Sequence, residues 1–408
     1  MATQAEQGSL VRLAYIGCWY KNDMYSHNCS NLVDSLRGTG MTVDVITSNC
    51  RCFWSAQKFS IAKDELINEH CAPIAIPHAP RTPGKKHGSL KYWAVKILRL
   101  DLILATARGF LYYKRARHAD VIHFDQVLEA FGCVPLFILI YLANRAGKKV
   151  VVTVHEIDPF QVQHKRFNRL YDKCAEVLVY SENMKQQVVA LGAKADNIKV
   201  IRYGARIPAL VSTERKQYIY FGGHNISRGK GYVELLDALG MLKGKGLKIP
   251  FVIYVGYGCN GLEEAKQLAV RKNVADMIQW QDFYSADELA KVYQRSKACI
   301  IPFTGGSARH PLTSAMVNGT PVIATKAVDI PEYLGDLGIY VDGSATSIAD
   351  AIRRCETGEE DLKSLGDRLR HKALTELDYN RIAQELSAEY TRIGRKRHLI
   401  SIEPAAVV

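Results

Sequence analysis

Residues 218–239 read Tyr218-Ile-Tyr-Phe221-Gly222-Gly223-His-Asn-Ile-Ser-Arg228-Gly229-Lys230-Gly231-Tyr232-Val-Glu-Leu-Leu-Asp-Ala-Leu239. A short aromatic and β-branched run gives way to glycines, then to two cations, then to an apolar helix-period stretch. Glycine lets backbone N–H groups approach an anion, and the N-terminus of the following helix adds partial positive charge. Arg228 would grip a diphosphate as a planar fork and Lys230 as a point charge. The competing reading is a solvated basic turn. A position just after a buried strand favours phosphate.

On both sides of this segment, β-branched runs alternate with helix-period stretches. Strands are expected at 12–16, 42–47, 74–77, 121–124, 149–154, 177–180 and 198–202. Further strands are expected at 218–221, 251–255, 278–279, 299–302, 321–324 and 339–341. Strand, crossover helix, strand, repeated, predicts parallel sheets covered on both faces. The alternation pauses near Gly204–Ala209 and then restarts with a fresh first strand. The expected fold class is therefore α/β, with two doubly wound parallel-sheet (Rossmann-like) domains facing across a cleft. Their expected bounds are 1–207 and 208–379, with a last helix in 380–408 crossing back to the first domain.

A second loop of the same kind follows the strand near 299–302. It runs Pro302-Phe-Thr-Gly305-Gly306-Ser307-Ala-Arg309-His310-Pro-Leu-Thr-Ser314-Ala-Met-Val-Asn-Gly-Thr-Pro321. This glycine- and serine-rich loop again opens a helix, and Arg309 and His310 add donors. Two anion-receiving loops in one domain point to a nucleotide diphosphate held by both.

Composition narrows the class. Of 408 residues, 48% are hydrophobic and 23% charged, the balance of a folded globular chain. The longest apolar run, Ala130–Ala143, is fourteen residues and contains Pro135. That is shorter than the roughly 18–20 residues that span a bilayer. With no secretory leader at the start, a cytoplasmic protein is expected. The formal charge is +13, and Lys85–Arg117 holds nine basic residues against Asp101 alone. Such a cluster attracts a polyanion. Trp93, Ile97, Leu100, Leu104 and Leu111 recur there at helical spacing. The segment reads either as a core helix with a charged rim or as a surface for anionic membrane. Nucleic acid is not expected, because no nucleic-acid-binding motif accompanies the charge. The ten cysteines include no CxxC pair, so no metal is expected; Cys133, Cys174 and Cys299 read as buried thiols.

Phe221-Gly-Gly-x4-Arg228-Gly-Lys230-Gly, then Asn318-Gly-Thr-Pro-Val-Ile-Ala-Thr325 and Ile330-Pro-Glu332, resembles the donor domain of GT-B glycosyltransferases, and of family 4 in particular. Asp120-Val-Ile-His-Phe, Val152-Thr-Val-His155-Glu, Val179-Tyr-Ser-Glu182 and Val200-Ile-Arg-Tyr-Gly204 extend the likeness over about residues 10–395. The resemblance implies transfer of a sugar from a nucleotide-diphosphate sugar, with retention and without metal or other cofactor. The implied acceptor is a glycan or lipid-linked molecule in cell-surface polysaccharide synthesis. It places Lys230 on the diphosphate and His155 near the transferred sugar. Gly222, Gly223, Arg228, Gly306, Ser307, Arg309, His310 and Ser314 complete the expected donor site. The loop holding Tyr25, Ser26, His27 and Asn28 is expected to meet the acceptor.

The pattern departs from the family at its two glutamates, whose places are taken by Gly306 and Ser314. Serine can still hydrogen-bond a ribose hydroxyl, without charge. A catalytically weakened GT-B subunit supporting a partner, or a GT-B sugar-nucleotide epimerase, is therefore an alternative. No carboxylate pair of the glycosidase kind is apparent, although Glu156 and Asp158 flank His155. Gly256-Tyr-Gly-Cys-Asn-Gly261 fits the dinucleotide template, with Asp276 as a ribose contact. It does not follow the first strand of its domain, so it is read as a tight strand-to-helix turn.

Overall fold

The computed structural model describes residues 11–18, 24–48, 100–126, 133–157, 169–209, 218–222, 228–247, 249–254, 261–281 and 286–395. Among them, twelve strands form two six-stranded sheets in which every pairing is parallel. All twelve overlap strands expected from the sequence; the one expected at 74–77 lies outside the described residues.

The first sheet contains β1 (Arg12–Cys18), β2 (Thr42–Ser48), β3 (Val121–Gln126), β4 (Lys149–Val154), β5 (Glu176–Val179) and β6 (Ile198–Val200), in the order β2-β1-β3-β4-β5-β6. Its strands are nearly continuous apolar runs, as burial on both faces requires. Leu13, Ala14, Tyr15 and Ile16 are all fully buried. The helices Leu100–Ala116 and Cys133–Arg145 meet at Gly109, against Ile138 and the carbonyl of Pro135. Pro135 sits in the first turn of its helix, where its missing N–H would have had no intrahelical partner. The helix Tyr379–Arg395 buries Ile382, Ala383, Leu386, Tyr390 and Ile393, a stripe at helical spacing. From Asn380 on it belongs to the compact unit built on this sheet, and Gly394 lies against Val11 and Val121.

The second sheet contains β7 (Tyr218–Phe221), β8 (Phe251–Tyr254), β9 (Ile278–Gln281), β10 (Ser296–Ile301), β11 (Val322–Thr325) and β12 (Gly338–Val341), in the order β12-β11-β10-β7-β8-β9. It organises a second compact unit, Arg202–Tyr379 with Ser181–Asn183. Arg202–Ile207, placed with the first domain from the sequence, clusters here for visible reasons. The Tyr203 N–H donates to the Tyr333 hydroxyl at 3.0 Å, and Ala205 bridges to Asp378.

The strand orders locate the sites. Each sheet reverses direction once, between β1 and β3 in the first and between β7 and β10 in the second. Loops leaving the carboxyl ends of such a strand pair diverge, and ligands bind in the gap they leave.

Candidate functional site

In the second unit, the loops after β7 and β10 are joined by their backbones. The Gly229 carbonyl accepts from the N–H groups of Thr304 at 3.0 Å and Gly305 at 3.2 Å. Gly231, which follows the turn Arg228–Lys230 and caps the helix Tyr232–Gly244, has φ +68°. A Cβ there would lie 2.1 Å from the Pro302 carbonyl oxygen, so only glycine permits this approach. Gly222, at the end of β7, backs against Pro311 of the helix Arg309–Val317.

Lys230 is thereby carried to the second loop. Its Nζ donates to the Ser307 carbonyl at 2.8 Å and lies 3.9 Å from the centre of the Phe303 ring. Gly306 is beside it: an added Cβ would stand 3.5 Å from that Nζ. A cation, two glycines and the start of the helix Arg309–Val317 therefore converge at the switch point of this sheet, as an anion site requires. His310 and Ser314 are half-buried on that helix. The backbone of Arg228 lies in the adjoining turn, and Gly223 lies outside the described residues.

Arg309 has a different place from the one expected. It is buried, and its Nη1 donates to Asp329 Oδ2 at 2.7 Å, with the two side chains 5% and 0% exposed. This internal ion pair ties the helix Arg309–Val317 to the turn before Ile330–Leu334, which withdraws Arg309 from the anion-facing donors. Asp276 is likewise committed, in an ion pair with Lys243 at 2.6 Å. Most of the dinucleotide-like loop lies outside the described residues; its last glycine, Gly261, caps the helix Leu262–Arg271.

The first unit contains an arrangement that sequence reasoning missed. His123 and Asp125 occupy alternate positions of β3, hence one face of the strand. Both are buried. Buried polar groups need partners, and these have them. Hydroxyls of Thr153 and Tyr390 meet the His123 ring nitrogens, each at 2.7 Å, and the Tyr15 ring stands edge-on at 4.8 Å. Burial pushes the His123 pKa down to about 4, so the ring is neutral at pH 7.

Asp125 receives donors on both oxygens. The Tyr15 hydroxyl donates to Oδ2, as does the Cys29 thiol at 3.0 Å, while His155 Nε2 lies 2.5 Å from Oδ1. The Tyr180 hydroxyl stands 3.3 Å from the same ring nitrogen. Burial alone would raise the Asp125 pKa. The charge and hydrogen bond of His155 beside it, with His123 and Tyr15, instead hold it well below the usual carboxylate range. His155 follows β4 directly, at the carboxyl edge of the first sheet. Of the carboxylates expected near it, Glu156 is exposed and Asp158 lies outside the described residues. The local signal for Asp125 was two polar residues at period two on a strand that also holds Val121, Ile122 and Phe124; its partners lie far away in the sequence.

Tyr25, Ser26, His27 and Asn28 fall not in a loop but in the first turns of the helix Met24–Gly38. The expected buried thiols Cys174 and Cys299 are buried and free; Cys133 begins the helix Cys133–Arg145. No helix among the described residues is long and apolar enough to cross a membrane.

Comparison with known proteins gives two family matches that together cover most of the chain. The model described as Glycosyltransferase Family 4 matches residues 29–206, and that described as Glycosyl transferases group 1 matches residues 207–372. A curated relative is the MMP alpha-(1->4)-mannosyltransferase of Mycolicibacterium hassiacum, 23% identical over 167 residues. That stretch is 40% of this chain and 40% of the relative's length. Among solved structures, sucrose-phosphate synthase from Thermosynechococcus elongatus has a TM-score of 0.68 at 15% identity, covering 95% of this chain and 100% of that one. Anabaena HepE in complex with UDP has a TM-score of 0.64 at 15% identity, covering 94% and 100%. These likenesses concern the fold.

Proposed function

The chain belongs to the GT-B glycosyltransferases of the family-4 kind, and from that membership we propose that it transfers a hexose from a nucleotide-diphosphate sugar, with retention, to a glycan or lipid-linked acceptor in cell-surface polysaccharide synthesis. The observation that carries the proposal is Lys230 held against the Gly306–Ser307 loop at the switch point of the second sheet.

Breaking a glycosyl–phosphate bond leaves negative charge on the departing diphosphate. Fixed donors aimed at that charge give the largest electrostatic help. In this reading Lys230, the Arg228 turn and the amides opening the helix Arg309–Val317 receive the diphosphate, and no metal is needed. His310 and Ser314 line the nucleotide, with Ser314 on the ribose. The helix start at Tyr25–Asn28 reads the acceptor, and His155 attends the transferred sugar.

The test is a thermal-shift panel of nucleoside diphosphates headed by UDP, the ligand in the Anabaena structure, followed by product analysis with the matching sugar nucleotides. One nucleotide should raise the melting temperature; at 100 times its Kd a ligand adds about 2.7 kcal/mol to the fold that binds it. The absence of any shift, together with no transfer, would overturn the reading. Glycine at 306 and serine at 314 favour a second reading, a nucleotide-binding subunit with weakened catalysis. Binding without transfer to any acceptor would select it.

The proposed cytoplasmic enzyme also meets an anionic membrane surface. Phe110, Phe137 and Tyr141 are exposed, on the two helices that pack together at Gly109. Lys114, Arg115 and Arg117, from the basic cluster, are exposed nearby in the chain; its members Lys85–Arg99 lie outside the described residues. Apolar rings with adjacent cations are the requirement for interfacial binding. The protein should co-sediment with phosphatidylglycerol-containing vesicles and not with phosphatidylcholine alone. The pair Phe110→Ser and Phe137→Ser should weaken it at least about fivefold. Equal sedimentation with both vesicle types would dispose of the idea.

A further inference from the structure

The last helix, Tyr379–Arg395, is fastened to the first sheet by charged groups as well as by its apolar stripe. Glu176, the first residue of β5, places a carboxyl group inside this contact, only 7% exposed. Its register partner on β4 is the apolar Val151. From the helix come Glu389, Tyr390 and Arg392, and from β6 comes Lys199. The cations are unevenly shared. Arg392 donates from Nε to Glu389 Oε1 at 2.7 Å, and its Nη2 meets the same oxygen. Lys199 Nζ is divided between Glu389 Oε2 at 3.4 Å and the half-exposed Glu385 at 3.3 Å. Glu176 receives only Arg392 Nη2, 3.5 Å from Oε1, and no donor among the described residues reaches its buried Oε2. Two cations thus serve three carboxyl groups, and the most buried of the three is served least.

A buried carboxylate without donors is costly, and of two neighbouring carboxyl groups one tends to keep its proton. We propose that Glu176 stays protonated in the folded protein and donates to Glu389, so that a single proton latches the last helix to β5. A protonated carboxyl group gains an O–H donor, which gives Oε2 a partner. Burial, the charge of Glu389 and the hydrogen bond between the two push the Glu176 pKa up to about 7. Glu389 moves the other way. Burial opposes its ionisation, but hydrogen bonds from Arg392 and Glu176, with the charges of Lys199 and Arg392, hold it below its usual value. The unfolded chain gives up the Glu176 proton at lower pH than the fold does. The latch is therefore complete below about pH 4.5 and is lost as the pH rises through about 7. The same helical turn carries Tyr390, whose hydroxyl meets His123 Nδ1 at 2.7 Å, two positions along β3 from Asp125. Release of the proton thus also loosens the support of that buried cluster.

Hydrogen exchange of the helix amides in the full chain, corrected for the intrinsic pH dependence of exchange, tests it. Opening of the helix Tyr379–Arg395 should increase at least about tenfold between about pH 5.5 and about pH 8. Glu176→Gln keeps a donor for Glu389 but has no proton to lose. Its helix opening should change less than about threefold over the same range. Wild-type opening that does not rise with pH overturns the proposal. So does a folded Glu176→Gln protein that keeps the wild-type dependence. A second reading uses the wild-type protein alone. The ¹³C resonance of the Glu176 carboxyl group, assigned through its own side chain, should titrate above about pH 6, where an ordinary glutamate is already ionised. Titration below that overturns the proposal whether or not the variant folds.

Discussion

Replacing Lys230 by alanine is expected to lower sugar transfer at least 100-fold, about 2.7 kcal/mol of transition-state stabilisation, while the protein stays folded. The argument is electrostatic. Lys230 is only half-buried, and its contact with Phe303 is worth roughly 0.5–1 kcal/mol. Its loss therefore costs little stability. Its charge, however, is held in place by the Ser307 carbonyl before any ligand arrives. A cation positioned in advance acts most strongly on the leaving diphosphate, where charge develops during the reaction. Steady-state kinetics should show a reduced kcat, and thermal unfolding should be nearly unchanged. A purified Lys230→Ala protein with normal turnover would refute the site assignment. Lys230→Arg should recover only part of the rate, because the guanidinium fork has a different shape from the ammonium that fits between Phe303 and Ser307.

Arg309→Ala should have the opposite profile. Arg309 and Asp329 form a buried pair, and deleting one partner of such a pair strands the other charge in the core, at a cost of about 3–5 kcal/mol. The unfolding transition of the second unit should move to markedly lower urea concentration. Nucleotide affinity, measured where the variant is still folded, should change little. The double replacement Arg309→Met with Asp329→Leu removes both charges and should restore most of the loss. A stable Arg309→Ala protein with weakened nucleotide binding would return Arg309 to the donor site.

This contrast shows what could be read from the chain. A cation just past a glycine-rich loop, at a helix start, has the local pattern of an anion receptor, and Arg309 was placed there for that reason. Its partner Asp329 comes twenty residues later, beyond the next strand, and nothing local links the two. Lys230 was legible because its setting is local: strand, glycines, cation, helix. The strands were legible because parallel sheets buried on both faces need continuous β-branched runs. The helix Cys133–Arg145 was not, since an all-round apolar stretch has no helical period and Pro135 looks like a break. The helix Leu362–Glu376 was not read either, although Leu362, Leu365, Leu369 and Ala373 recur in it at helical spacing. Asp125 was missed because Tyr15, the hydroxyl that meets it, lies 110 residues upstream.

The carbonyl of Gly229 has one more consequence. By holding the amides of Thr304 and Gly305, it ties the turn Arg228–Lys230 to the loop after β10, the two segments proposed to receive the diphosphate. The freedom that these two described segments would otherwise surrender on capturing a nucleotide has already been given up during folding. At the proposed site, recognition would then be a rigid reception rather than a closing grip, and the encounter would retain more of its intrinsic attraction as affinity.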